Sequence, residues 1–251
     1  MIANYHTHTR WCNHAEGEID DYVRAAVNNG LEAIAITDHV PHTANFDHSR
    51  MRWQQFPGFN AELDAAKRRY ADQIQVIKGF ECEYYPFSLD NYRMFRQKYG
   101  YKFLILGQHT NKDRTQDNFR AKGQAEFKMY ADDVIEGLET GLFQMLAHPD
   151  VALCGYGETD DFALEQMSRI FAACARLNIP VEINANGLRD HRRYPDRKVW
   201  ELSREYPLTW LINSDAHQVE YLCDDAGVGA AERFAKELGI PVTERIDWLN
   251  F

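Results

Sequence analysis

IANYHTHTRWCNH (2–14) opens as a short strand-forming run and ends in three histidines, His6, His8 and His14. The construction recurs along the chain in AIAITDH (33–39), VIKGFECE (76–83), FLILGQH (103–109), FQMLAHP (143–149), PVEIN (180–184) and LTWLINSDAH (208–217). Such runs, rich in Ile, Val, Leu and Phe, suit strands buried on both faces. All but PVEIN end in a side chain able to bind metal: His6 and His8, Asp38 and His39, Glu81, His109, His148, and Asp215 with His217.

The segments between these runs carry a helical period. EIDDYVRAAVNNG (18–30) aligns Ile19, Tyr22, Val23, Ala26 and Val27 on one face and closes on Gly30, a C-cap residue. Residues 58–73, 91–100, 125–141, 160–178, 195–207 and 224–239 read likewise. Strand alternating with helix predicts a parallel sheet with helical crossovers. With seven units and no linker, the chain is expected to be one domain over 1–251, an α/β fold closed or nearly closed as a (β/α)7 barrel. An open doubly wound sheet would gather its ligands at one switch point. Ligands from six strands need a ring, whose C-terminal mouth carries the chemistry. Two long loops, 40–57 and 111–120, are expected to wall that mouth.

Composition narrows the partners. A formal net charge of −10 disfavours a nucleic-acid partner, because such proteins present a basic face. No stretch has the roughly 20 apolar residues that span a bilayer, so no membrane partner is expected. Five cysteines without CxxC spacing argue against a disulfide scaffold and for a reducing, cytoplasmic location.

Within the motifs, His6 and His8 stand two apart on a strand end and project to the same side, so both imidazoles can reach one cation. Asp215 and His217 repeat the device. In GFECE, Glu81 and Glu83 share a face; Glu81 could bridge two cations, and Cys82, on the other face, reads as packing. Glu83 points either towards substrate or into a buried structural network. Asp38, next to His39 in sequence, is expected to orient a ligand histidine from behind.

The ordered set HTH with a following His, TDH, a strand ending in Glu, QH, AHPD and SDAH resembles the PHP (polymerase and histidinol phosphatase) metallohydrolases over nearly the whole chain. The resemblance implies a distorted seven-stranded (β/α) barrel with up to three divalent transition-metal ions (Zn, Mn or Fe). It implies that His6, His8, Glu81 and Asp215 hold one ion. Glu81 bridges to a second ion held with His109 and His148, and His14, His39 and His217 hold a third. Imidazole with carboxylate suits these metals and excludes an all-oxygen calcium cage.

Three such cations against two carboxylates leave positive charge that an oxyanion such as phosphate satisfies. The implied reaction is phosphomonoester hydrolysis, in which a hydroxide bridging the metals attacks phosphorus in line. Asp215, through a water, or His217 is expected to carry the proton to the leaving alkoxide. L-Histidinol phosphate is the first substrate expected. Another small phosphate ester (nucleotide or sugar phosphate) and a non-catalytic metal-binding accessory module are the alternatives.

EINANGLRDHRRYP (182–195) resembles the segment that follows the sixth strand in the family's histidinol-phosphate phosphatases, which assigns phosphate contact to Arg189, with Arg193 and Arg192 as alternatives. His42 and Glu83 are further substrate-binding candidates, and Tyr84, Tyr85 and Phe87 could form an aromatic wall. HPDVALCGYG (148–157) departs from the pattern, having no basic residue where the histidinol phosphatases commonly carry one.

Overall fold

Alternation within AIAI (33–36) sets the two faces of the sheet. Ile34 and Ile36 pack outward into the helical layer, and Ala33 and Ala35 pack inward against Tyr5, Ile77, Phe103 and Ile105. The computed structural model describes residues 1–246; of the single domain expected over 1–251, residues 247–251 lie outside the described residues.

Seven parallel strands follow in chain order: β1 (Ala3–Asn4), β2 (Ala33–Ile36), β3 (Gln75–Cys82), β4 (Phe103–Leu106), β5 (Met145–Leu146), β6 (Val181–Asn184) and β7 (Trp210–Asn213). Each pairs with its sequence neighbour, as right-handed crossovers impose on a barrel. Between β7 and β1 the ladder reduces to a single parallel bridge, Thr7 to Ala216. Two asparagine side chains stitch the rest of that seam, Tyr5 N donating to Asn213 Oδ1 (2.8 Å) and Ser214 N to Asn4 Oδ1 (2.8 Å). The ring is therefore nearly closed, with its weakest seam between β7 and β1.

Crossovers and loops carry α1 (Ile19–Asn28), α2 (Phe56–Arg69), α3 (Leu89–Tyr99), α4 (Gln124–Glu139), α5 (Leu153–Tyr156), α6 (Asp161–Leu177), α7 (Ala185–Arg189), α8 (Arg197–Ser203) and α9 (Ala230–Glu237). Helix α6 begins at Asp160, whose carboxylate accepts from Ala163 N, and ends on Asn178 in the left-handed conformation. The short helix α7 lies inside a segment read from sequence as loop. Asn184 at the end of β6 caps it through Gly187 N, a local bond that hydrophobic periodicity does not register. None of the described helices is long and apolar enough to cross a membrane.

The two long loops rise from the C-terminal ends of β2 and β4. They meet where the Arg114 guanidinium sits 3.4 Å from the ring centroid of Phe46. At the opposite end of the barrel Ile246 joins the inner core, its N–H bonded to Tyr5 Oη at 2.8 Å.

Candidate metal centre

Strand ends deliver nine side chains to one place. His6 and His8 leave β1 with their Nε2 atoms 3.0 Å apart, and the Asp215 Oδ1 atom lies 3.5 and 3.2 Å from them. Glu81, at the end of β3, divides its oxygens. Oε2 lies 3.2–3.4 Å from His39, His8 and His6, and Oε1 lies 3.0 Å from His148 Nε2 and 3.4 Å from His109 Nε2. His14 and His217 bring their Nε2 atoms to 3.1 Å of each other, and each ring's Nδ1 lies against a backbone carbonyl, of Cys12 (2.9 Å) and Asp215 (3.0 Å) respectively.

Backbone details explain how those side chains fit. His148 (φ 27°) and Asp215 (φ 46°) occupy the left-handed region, a strained choice for a histidine and one that the surrounding hydrogen bonds must hold. Gly107 lies against the Glu81 carboxylate so closely that a Cβ there would overlap Oε1. In the GQH segment, glycine thus leaves the room that a carboxylate shared between two histidine groups requires.

The donor set fits divalent cations. The outer nitrogens of His6, His14, His109 and His217 carry carbonyl or carboxylate partners, while the inner nitrogens converge on one another and on Glu81 and Asp215, an arrangement that a cation between them satisfies. Burial works against protonating His6, yet Glu182, Asp215 and Glu81 raise it to about 10. Burial likewise opposes ionising Glu81, but His109, His39 and His6 hold its carboxyl well below the usual range; Asp215 is held down by His6, His8 and His217. The cluster thus demands positive charge at its centre. His8 Nδ1 and His148 Nδ1 are buried without a hydrogen-bond partner among the described residues. Cys12 Sγ and an Asp38 oxygen lie within 4.8 Å of a His8 ring nitrogen.

Supporting residues that escaped sequence reasoning stand behind this set. Glu182, the acid of PVEIN, is fully buried and takes four bonds: His6 Nδ1 (2.9 Å) and Asn213 Nδ2 (3.1 Å) on Oε1, His148 N (3.0 Å) and Asn184 Nδ2 (2.9 Å) on Oε2. Its signal was an acid two residues before an asparagine in an otherwise apolar strand, both facing inward. Arg50, from the first long loop, pairs with Glu83 at 3.0 and 2.8 Å. Despite burial, Arg50 and His109 bring the Glu83 carboxyl to about 2. Glu83 also lies 3.2 Å from His109 Nδ1, so it braces that imidazole.

The cluster floors a cavity of about 560 Å³ whose walls include Glu16, Asp47, Arg50, Asp117, Phe119, Asp190, Arg192, Tyr194 and Tyr221. Both long loops contribute. Among the residues assigned to substrate from sequence, Glu83 reaches the wall but is held by Arg50. His42, Arg189 and Arg193 do not line the cavity. His42 is buried against Ser88 Oγ (3.0 Å), Arg193 is exposed, and Arg189 is turned onto Asp224. Long cationic side chains follow whichever carboxylate folds beside them, and Asp224 lies 35 residues from Arg189. Arg192 lines the wall, bonded to Asp190 Oδ2 (2.7 Å) and Tyr194 Oη (2.9 Å). Asp38 accepts from Thr9 N (2.8 Å) and Thr9 Oγ1 (2.9 Å), which fixes the turn between His8 and His14 rather than holding a histidine ring by a hydrogen bond. Tyr85 and Phe87 stack on each other beside His42 and Phe46, away from the cavity lining.

The "Probable histidinol-phosphatase" of Deinococcus radiodurans is 26% identical over 230 residues, 86% of this chain and 86% of its own. The DNA polymerase/3'-5' exonuclease PolX of Bacillus subtilis is 25% identical over 243 residues, 92% of this chain and 37% of that one. Histidinol phosphate phosphatase from Lactococcus lactis, solved with zinc, L-histidinol and phosphate, has the same fold, with a TM-score of 0.76 at 17% identity over 96% of this chain and 94% of that one. The profile of the PHP domain matches residues 4–186, well over half of the 251, and the chain therefore belongs to the PHP domain family.

Proposed function

We propose that this protein is a metal-dependent phosphomonoesterase and that L-histidinol phosphate is its substrate. The observation that carries the reading is the division of Glu81, one oxygen towards His109 and His148 and the other towards His6, His8 and His39, at the floor of a cavity sized for a small molecule. We assign His6, His8, Glu81 and Asp215 to one ion, Glu81, His109 and His148 to a second, and His14, His39 and His217 to a third. Zinc, as held by the Lactococcus lactis enzyme, is the first choice, with Mn and Fe compatible with the same donors.

When bound, such ions supply Lewis acidity and a hydroxide nucleophile near neutral pH. The chain's own groups do the rest. Arg192 offers the cavity a guanidinium that suits a phosphoryl oxygen pair. Glu16, Asp47, Asp117 and Asp190 give the wall a carboxylate-rich character, which favours an ester with a cationic group over a polyanionic nucleotide. His217, whose ring nitrogens meet Asp215 O and His14, and Asp215, through a water, are the two groups placed to carry the proton to the leaving alkoxide. The five free cysteines accord with a cytosolic location.

The test is phosphate release from histidinol phosphate, nucleotide monophosphates and sugar phosphates by protein loaded separately with Zn, Mn and Fe. Preference for histidinol phosphate, lost on chelation and restored by metal, is the expected result. Preference for another ester keeps the chemistry and removes the substrate; no release from any ester by protein with verified metal content overturns the reading.

A further inference from the structure

Arg189 does not reach the cavity, and its bonds lead elsewhere. Four of the five N–H groups of a guanidinium are used here: Nε to Asp224 Oδ2 (2.9 Å), Nη2 to Asp224 Oδ1 (2.6 Å) and Tyr221 O (3.0 Å), and Nη1 to Asn186 Oδ1 (3.2 Å). Its carbon lies 4.4 Å from the ring centroid of Tyr221, and the side chain is 7% exposed. Gly227 completes the socket, since a Cβ there would overlap Nη2. This is a fixed guanidinium inside a built pocket.

The bond to Asn186 has a directional consequence. Arginine only donates, so Asn186 must turn its carbonyl oxygen to Arg189 and its amide to the other side. That amide donates to Asp215 Oδ2 at 3.3 Å. Asn184 does the same at 3.1 Å, its own carbonyl oxygen fixed by Gly187 N at 2.9 Å. Two donors on Oδ2 leave Oδ1 as the oxygen that faces His6 and His8. Were Asn186 to flip, its oxygen would oppose Oδ2, two acceptors in contact in a buried site, and Asp215 would have to move or take up a proton.

We propose that Arg189 is a positioning residue for the metal centre, acting through Asn186 to present a single oxygen of Asp215, and that it is not a ligand of the substrate phosphate. The inference rests on the metal-ligand role assigned to Asp215 above. It separates two arginines three residues apart: Arg192 faces the cavity, and Arg189 supports its floor and, through Tyr221, its wall.

Zinc affinity by chelator competition, read without substrate, tests the relay. Arg189→Met and Asn186→Ala are each expected to weaken the tightest zinc equivalent about 10–100-fold, the usual loss for an outer partner of a ligand. In the double variant the losses should not multiply, because both remove the same relay. Phosphate affinity of the zinc-saturated protein, read by calorimetry, should stay within about twofold in Arg189→Met. Unchanged zinc affinity in Arg189→Met, multiplying losses in the double variant, or weaker phosphate binding with zinc affinity intact would each overturn the proposal. Should Arg189→Met fail to fold, Asn186→Asp keeps an acceptor for Arg189 while facing Asp215 with a carboxylate oxygen, and must weaken zinc for the proposal to stand. None of these readouts depends on which ester is hydrolysed, so a failed phosphatase assay and a failed relay remain distinguishable.

Discussion

Glu182→Gln changes one atom of a fully buried side chain that accepts four hydrogen bonds, two at each oxygen. A carboxamide has one accepting end. Whichever way it turns, its NH2 meets two donors: His6 Nδ1 and Asn213 Nδ2, or His148 N and Asn184 Nδ2. Each buried donor left without an acceptor costs about 1–3 kcal/mol, so two of them cost about 2–6 kcal/mol. Against a domain stability of about 5–15 kcal/mol, that is a large fraction. Relief of carboxylate burial returns part of it, which places the expected loss in metal-free protein near the lower end, about 2–3 kcal/mol. Because His6 loses the anion behind its ring, zinc affinity should fall about 10–100-fold as well. Denaturant unfolding of metal-free protein and chelator competition with zinc measure the two effects separately. If Glu182→Gln unfolds within about 0.5 kcal/mol of the parent protein and binds zinc equally, the reasoning that the barrel interior needs four acceptors at this position fails.

Gly107→Ala should weaken zinc at least tenfold, on the scale of a lost outer partner, because the added methyl overlaps the Glu81 carboxylate; elemental analysis after dialysis reads the loss. Arg192→Met should raise KM about tenfold or more with kcat little changed, the worth of a charge-assisted bond to bound phosphate, while the exposed Arg193→Met leaves both constants alone; steady-state kinetics decide. Burial, with Arg50 adding to it, lowers His42 to about 4 from 6.5. Its folded pKa is depressed, so between those values the unfolded chain binds the extra proton. The contribution is therefore present above pH 6.5 and lost as pH falls through 4, by about 3 kcal/mol. His42→Asn should flatten that acid limb in urea titrations from pH 7 to 4, and an unchanged limb would refute the assignment.

What was legible in the sequence, and what was not, follows from how far each interaction reaches along the chain. The strand-end ligands are local, since a run of apolar residues announces the strand and the residues after it announce the mouth, so nine convergent side chains can be read from six short segments. Partner choice by Arg50 and Arg189 is non-local: Glu83 lies 33 residues from the first and Asp224 lies 35 from the second. No periodicity encodes which carboxylate a flexible guanidinium will meet, and Arg189 was accordingly read as facing phosphate. The closest comparison is between two inward-facing pairs, Glu81 near the end of β3 with Glu83 just beyond it, and Glu182 with Asn184 on β6, identical in spacing and alike in chemistry. Glu81 is the seventh of the eight residues of β3, level with the mouth, whereas Glu182 is the second of four in β6, below it. Depth along the strand therefore decides which acid reaches the convergent rings directly and which stands behind His6. That depth depends on the stagger of neighbouring strands, such as Glu182 opposite Leu211 and Glu81 opposite Ile105, a quantity that exists only once the sheet has paired.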